Sequence, residues 1–188
     1  MNKGLLIVVS APSGCGKGTM LKEILKDNRY YYSVSDTTRE PRPNEIDGIH
    51  YNFLSKEKFQ SKIDQDGMLE YAEYCENYYG TPKKPVEENL NLGKHVILEI
   101  EVQGAMRVKQ VRPDAKFIFI APPSIEELER RLLKRDTETM EVIQERVSKA
   151  KIELTYSNQY DYIIVNDELK KAIKDFKSIV RACELEVR

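Results

Sequence analysis

The stretch Leu5–Leu21, LLIVVSAPSGCGKGTML, constrains this chain more than any other. Five apolar residues, Leu5 to Val9, end at Ser10. A loop with Pro12, Gly14 and Gly16 follows, then Lys17, Gly18 and Thr19. Leu21, Ile24 and Leu25 then recur with helical spacing. Strand, glycine-rich loop and helix together make the layout of a phosphate-binding P-loop. Glycines clear side chains away, so that successive backbone N–H groups can turn toward phosphate oxygens. The helix start adds unpaired N–H groups and the positive end of its dipole, and Lys17 adds a point charge. The strict pattern has Gly where Ala11 stands and Ser or Thr where Gly18 stands, so Thr19 comes one residue late. A turn that merely joins strand to helix does not account for a lysine at this spacing. A dinucleotide-binding turn has no use for that lysine either.

The rest of the chain bounds the class. It has 188 residues with 30 basic and 31 acidic side chains, a net charge of −1, so any basic site must be local. That balance argues against a dedicated nucleic-acid or membrane surface. No apolar run is long enough to span a bilayer, and residues 1–4 lead straight into a strand, so a cytoplasmic location is expected. Cys15, Cys75 and Cys183 form neither a metal spacing nor a disulfide framework. Cys15 lies beside Lys17 and a helix start, where a thiol pKa can fall; the plainer reading is a small residue that fits the loop.

Residues 29–36 (RYYYSVSD) read as one short strand. Thr37 to Asn44 is charged, and Pro41 and Pro43 keep it extended. Arg39 and Arg42 on this stiff loop, close to tyrosines, read as an anion clamp, against the alternative of a solvated charged loop. A strand at His50–Phe53 is followed by a helix from Lys56 to Asp64 capped by Ser55. Leu69–Tyr74 alternates like a strand, with Glu70, Ala72 and Tyr74 on one face. Asn77–Thr81 is extended, and Pro82 opens a helix to about Leu92. Long apolar strands resume at Val96–Glu101 and Lys116–Ala121, alternating with helices at Val102–Val111, Ile125–Arg135 and on to about Thr155. A strand at Tyr162–Val165 and a helix over 168–186 close the chain. The fold class expected is α/β: a three-layer core with a mostly parallel sheet. Residues 1–32 and 95–188 form that core, a lid spans about 126–156, and residues 33–94 form an inserted subdomain.

An acid on the strand after the insertion is the expected partner of a P-loop, because it can hold Mg²⁺ beside the phosphates. Glu99, between Leu98 and Ile100, and Glu101 are the candidates; the alternative is an acid exposed at the sheet margin. Arg131, Arg135 and Arg146 could cover a transferring phosphoryl group, whose transition state spreads negative charge over several oxygens. Salt bridges to Glu126, Glu127, Glu129 and Glu145 compete for them.

With these residues in view, the chain resembles guanylate kinase, a P-loop kinase that moves phosphate from ATP to GMP, over about Gly4 to Ile179. The resemblance rests on SAPSGCGKGT at 10–19, SVSDTTREPRPNEIDGIHYNF at 33–53, ENYYGTP at 76–82, LEIEVQGA at 98–105, FIAPPS at 119–124 and IVND at 164–167. It implies that Arg39, Arg42, Tyr51 and Tyr79 bind the GMP phosphate, that Ser35, Glu70 and Thr81 read guanine, and that Glu99 and Glu101 border the same GMP site. Ala11, Pro12, Ser13, Gly14, Cys15, Gly16, Lys17, Gly18 and Thr19 would hold ATP phosphates, with Asn166 near the adenine. Lys17, Arg131, Arg135 and Arg146 would be catalytic, and Thr19 and Glu99 would approach Mg²⁺, directly or through water. The family often has Asp at the positions of Glu99 and Glu101, Ser at that of Thr81 and Gly at that of Asp136. The implied partners are ATP and GMP, with no nucleic acid and no membrane. A guanylate-kinase-like peptide-binding module without catalysis is the rival; such modules have a damaged P-loop, whereas Lys17 and its glycines are intact. A P-loop kinase for another small acceptor is a third reading, against which Glu70, Tyr51 and Tyr79 argue.

Overall fold

A computed structural model describes residues 3–134 and 139–186. Arg135 and Asp136, singled out above as a lid arginine and a departure from the family's glycine, lie outside the described residues. The elements run β1 (Leu6–Ser10), α1 (Lys17–Ile24), β2 (Tyr30–Tyr32), β3 (Asp36–Thr37), β4 (Asn52–Phe53), α2 (Lys56–Asp64), β5 (Met68–Tyr74), β6 (Asn77–Pro82) and α3 (Lys83–Asn91). They continue β7 (His95–Glu99), α4 (Val102–Val111), β8 (Lys116–Ala121), α5 (Ile125–Leu133), α6 (Met140–Thr155), β9 (Tyr162–Val165) and α7 (Leu169–Glu184). Five strands form one sheet in the order β2-β7-β1-β8-β9, and four form a second, β4-β3-β6-β5. Where strands carry unbroken apolar runs they are buried throughout, as in β1 and nearly all of β7 and β8.

The chain divides into two compact units, residues 1–7 with 29–115, and residues 8–28 with 116–188. In the first, β2 pairs parallel with β7, and α3 packs on β7 through buried Val86 and Leu90. The second sheet belongs wholly to this unit, with β5 and β6 antiparallel and α4 against β5. Ser55 Oγ accepts from Lys58 N at the start of α2, and Phe59 of that helix is fully buried. In the second unit β8 pairs parallel with β9, α7 packs on β9 and on α1, and α5 packs on α6. Ser124 Oγ accepts from Glu127 N, fixing the start of α5.

Three local expectations change. The run 29–36 is not one strand: Tyr30–Tyr32 pairs with β7, whereas Asp36–Thr37 pairs with β4 and β6 of the other sheet. Its residues suit either sheet, so the partners decide where it breaks. Strand β7 ends at Glu99, and Glu101 instead occupies the N-cap of α4. Pro82 closes β6 and caps α3 rather than lying inside it.

Candidate functional site

Two side-chain clusters stand out, one in each unit. The first surrounds the loop between β1 and α1. Gly16 caps α1 with φ 77°, a left-handed conformation, and no side chain caps the helix. The first turn of a helix so capped is where backbone N–H groups, here of Gly18 and Thr19, can face an anion. A Cβ on Gly16 would lie 2.6 Å from Asn166 Nδ2, so glycine is required here on two grounds. Asn166 is buried, and its Nδ2 donates to the Cys15 carbonyl at 2.7 Å, which shapes the loop from behind. The Asn166 carbonyl accepts from Arg131 Nη1 at 2.9 Å, and Arg131 Nε donates to Glu127 Oε1 at 2.7 Å. The Arg130 and Arg131 guanidinium groups hold the Glu127 carboxyl down at about 2. Arg146 Nη1 donates to Ser13 Oγ at 3.3 Å. Arg146 and Asn166, distant in sequence, thus meet the loop, and Arg131 holds Asn166. Lys17 is half-buried, and Gly18 and Thr19 are exposed. Cys15 is fully buried, and burial pushes its thiol up to about 12 despite nearby Arg131 and Lys17. The cysteine is a packing group, not an activated thiol.

The second cluster lines a cavity of about 350 Å³, within the range of small-ligand sites. Ser35, Arg39, Arg42, Tyr51, Glu70, Tyr79, Glu99 and Glu101 all contribute to its wall. Cations and rings make up part of this wall. Arg39 lies over the Tyr51 ring at 5.5 Å and the Phe53 ring at 5.8 Å, and Tyr51 meets Tyr79 edge-on at 6.0 Å. Burial raises the Tyr51 hydroxyl above its ordinary pKa, so it stays a donor near neutrality. The wall also contains Glu70, only 9% exposed. Burial raises its carboxyl, while a hydrogen bond from Thr81 and the charge of Arg107 oppose that shift. Thr81 Oγ1 donates to Glu70 Oε1 at 2.8 Å, because the two residues face each other across β5 and β6. Thr81 is itself buried and does not line the wall. Glu99 is half-buried and accepts from the Tyr32 hydroxyl at 3.2 Å.

The guanylate kinase family pattern matches residues 3–183 of this chain. The chain belongs to that family. The guanylate kinase of Desulfitobacterium hafniense (strain Y51) is 54% identical over 188 residues, covering 100% of this chain and 94% of that protein. The guanylate kinase of Clostridium tetani (strain Massachusetts / E88) is 52% identical over 182 residues, covering 97% and 88%. Among solved structures, guanylate kinase from Anaplasma phagocytophilum superposes with a TM-score of 0.80 at 33% identity, covering 99% of this chain and 89% of that one. Shikimate kinase from Bacteroides thetaiotaomicron reaches a TM-score of 0.51 at 14% identity over 94% of this chain and 98% of that one, a likeness of fold alone. The α/β arrangement is that of a P-loop kinase, and the enzyme class is nucleoside monophosphate kinase, with ATP as donor and GMP as acceptor.

Set against the guanylate kinase motifs, the cavity also contains residues that sequence reasoning passed over. Glu45 binds Arg39 through both carboxylate oxygens, at 2.9 and 3.0 Å. Its signal was available: an acid three residues after Arg42 in a proline-bound loop is placed to turn back on it. Gln103 and Gly104, from the first turn of α4, also face the cavity. A Cβ on Gly104 would lie 3.3 Å from Glu70 Oε2, so the glycine leaves that oxygen room. Among the described residues no group of three or more His, Cys, Asp or Glu could hold a metal, and no helix is long and apolar enough to cross a membrane.

Proposed function

We propose that the cavity binds GMP, that the loop at residues 11–19 holds the ATP phosphates, and that the γ-phosphate passes from one nucleotide to the other. The observation that carries this reading is the composition of one cavity wall: arginines and tyrosines together with a buried carboxylate, Glu70. That combination fits a nucleoside monophosphate, which carries both an anion and a hydrogen-bonding base. Arg39, Arg42, Tyr51 and Tyr79 hold the acceptor phosphate. Glu70 accepts the adjacent N1–H and N2–H₂ donors of guanine. Ser35, in the wall, serves O6, whereas Thr81 acts through Glu70 because its proton is already donated there. Asn166 supports the donor loop and lies near the adenine. Residues 33–94 are the GMP-binding subdomain, and 126–156 the lid.

Lys17, Arg131 and Arg146 surround the donor phosphates with positive charge, and Arg135 belongs to the same set. Phosphoryl transfer asks little else of a protein than positioning and charge cover. Thr19 and Glu99 are the residues of this chain that would approach the Mg²⁺ accompanying ATP, directly or through water. One hydroxyl and one carboxylate suit that ion, which keeps most of its water and rarely takes an all-protein cage. When bound, the ion neutralises charge on the phosphate oxygens. A peptide-binding module without catalysis is disfavoured, since Lys17 and the loop glycines are intact.

The test is ADP formation from Mg-ATP measured against a panel of nucleoside monophosphates. GMP should stand well above AMP, CMP and UMP. A chain inert with all four, yet able to bind a phosphopeptide, would support the module instead.

A further inference from the structure

Glu45 lies in the cavity wall, and none of the roles above uses it. Its carboxylate makes three hydrogen bonds within one loop. Oε2 accepts from Arg39 Nη1 at 2.9 Å and from Arg42 N at 2.7 Å, and Oε1 accepts from Arg39 Nη2 at 3.0 Å. The Arg39 and Glu45 side chains are only 16% and 17% exposed, unlike an ordinary surface pair. Arg39 holds the Glu45 carboxyl far below the usual range, at about 2, so it is charged at any working pH.

The donor count of Arg39 gives this pair a direction. A guanidinium has five N–H groups. Glu45 takes one from Nη1 and one from Nη2, and the Glu40 carbonyl takes another from Nη1 at 2.6 Å. That leaves the Nε–H and one Nη2–H, which lie side by side on the opposite edge. This pair matches two oxygens of a phosphate. The Tyr51 and Phe53 rings hold the plane of the group. A free arginine would have to give up its rotamer freedom on binding; this one has already lost it.

We propose that Glu45 is a positioning residue for the acceptor phosphate: it occupies one edge of Arg39, pins the backbone of Arg42, and so presents the remaining donors of Arg39 to the substrate. The proposal rests on the reading of Arg39, Arg42, Tyr51 and Tyr79 as the phosphate clamp. Glu45 touches no reacting atom; it acts through Arg39. Its negative charge also weakens the local positive potential. The pre-ordering outweighs that cost, since Arg39 and Arg42 remain beside it to offset the charge.

Calorimetric titration with GMP and with guanosine, which lacks the phosphate, tests this in Glu45→Gln and Glu45→Asp, alongside steady-state kinetics. Glu45→Gln keeps the shape but loses the charge and one acceptor. GMP affinity should fall about three- to tenfold, the scale of re-ordering one long side chain. Guanosine affinity and the KM for ATP should stay within about twofold, and KM for GMP should move more than kcat. Glu45→Asp keeps the charge and should recover part of the loss. A merely structural role would weaken guanosine as much as GMP, and that result would overturn the proposal. So would unchanged or tighter GMP binding, which would make Glu45 neutral or a competitor of the phosphate. Arg39→Met separates the clamp itself from its positioning by Glu45. If it leaves GMP binding intact, the clamp reading itself fails. If it weakens GMP, then adding Glu45→Gln should cost little more, because the second change acts through the first. Fully additive losses would sink the positioning role even with the clamp intact.

Discussion

Thr81 Oγ1 donates to Glu70 Oε1 at 2.8 Å, and both side chains are buried. The bond favours the charged form of a carboxylate that burial disfavours. Recognition of guanine by Glu70 requires that charged form, so the pair links base choice to pH. GMP binding should weaken as pH falls through the raised Glu70 pKa, starting nearer neutrality than for an ordinary glutamate. Thr81→Val removes the hydrogen bond and should move the acid limb of the GMP KM profile further toward neutral pH. An acid limb that did not move would uncouple Thr81 from the ionisation of Glu70.

The same shift has a sign in stability. A carboxyl whose folded pKa is raised binds its proton more tightly in the folded state. Its contribution to stability therefore declines as pH rises from the unfolded value through the folded one. Glu70→Gln lacks this titration. Its stability relative to the parent chain should improve across that window, read as the difference in urea midpoint at pH 4 and pH 8. A constant difference would contradict the direction of the shift.

Glu70→Gln also probes specificity. The amide keeps the shape but exchanges one acceptor for a donor, so it must mispair with one of guanine's two donors, while it can pair with adenine N1 and N6–H₂. A buried mispaired group costs about 1–3 kcal/mol. The GMP-to-AMP ratio of kcat/KM should fall at least about tenfold, mostly through GMP, with ATP binding near that of the parent. An unchanged ratio would remove Glu70 from base recognition.

Lys17→Ala removes a charge at the first position of α1 without touching the core. The rate should drop at least about a hundredfold, the scale of losing one preorganised stabiliser of developing charge. Circular dichroism and thermal unfolding should be close to those of the parent. Normal turnover by this variant would refute the phosphate site.

Gly16→Ala meets both a left-handed φ of 77° and Asn166 Nδ2 at 2.6 Å. The backbone strain alone costs about 1–3 kcal/mol. KM for ATP should rise and the melting temperature fall. Asn166→Gly in the same chain removes the clash but not the strain, so it should restore only part of the stability. Full restoration would assign the whole effect to the contact.

Much of this protein is written locally. The loop glycines, Lys17, the Ser55 and Ser124 caps and the buried runs of β1 and β8 depend on a few neighbouring residues, and they are legible as such. Helix α4 and strands β8 and β9 fall where periodicity places them. The α/β class follows from that alternation. Pairing across distance is different. The run at 29–36 serves two sheets because two partners compete for it, and no residue within it names either. Thr81 points at Glu70 because β5 and β6 pair in one register; a shift of one residue would turn it to the other face. Glu101 continues an apolar-looking strand in sequence, yet in space it caps a helix. Asn166 supports the loop from 151 residues away, through its contact with Cys15. Side-chain type and spacing are properties of the chain, and they determined the elements and the chemistry available to them. Which side chain spends its hydrogen bonds on which partner depends on distances that only the folded chain brings within about 3 Å, and those contacts decided the final form of the site.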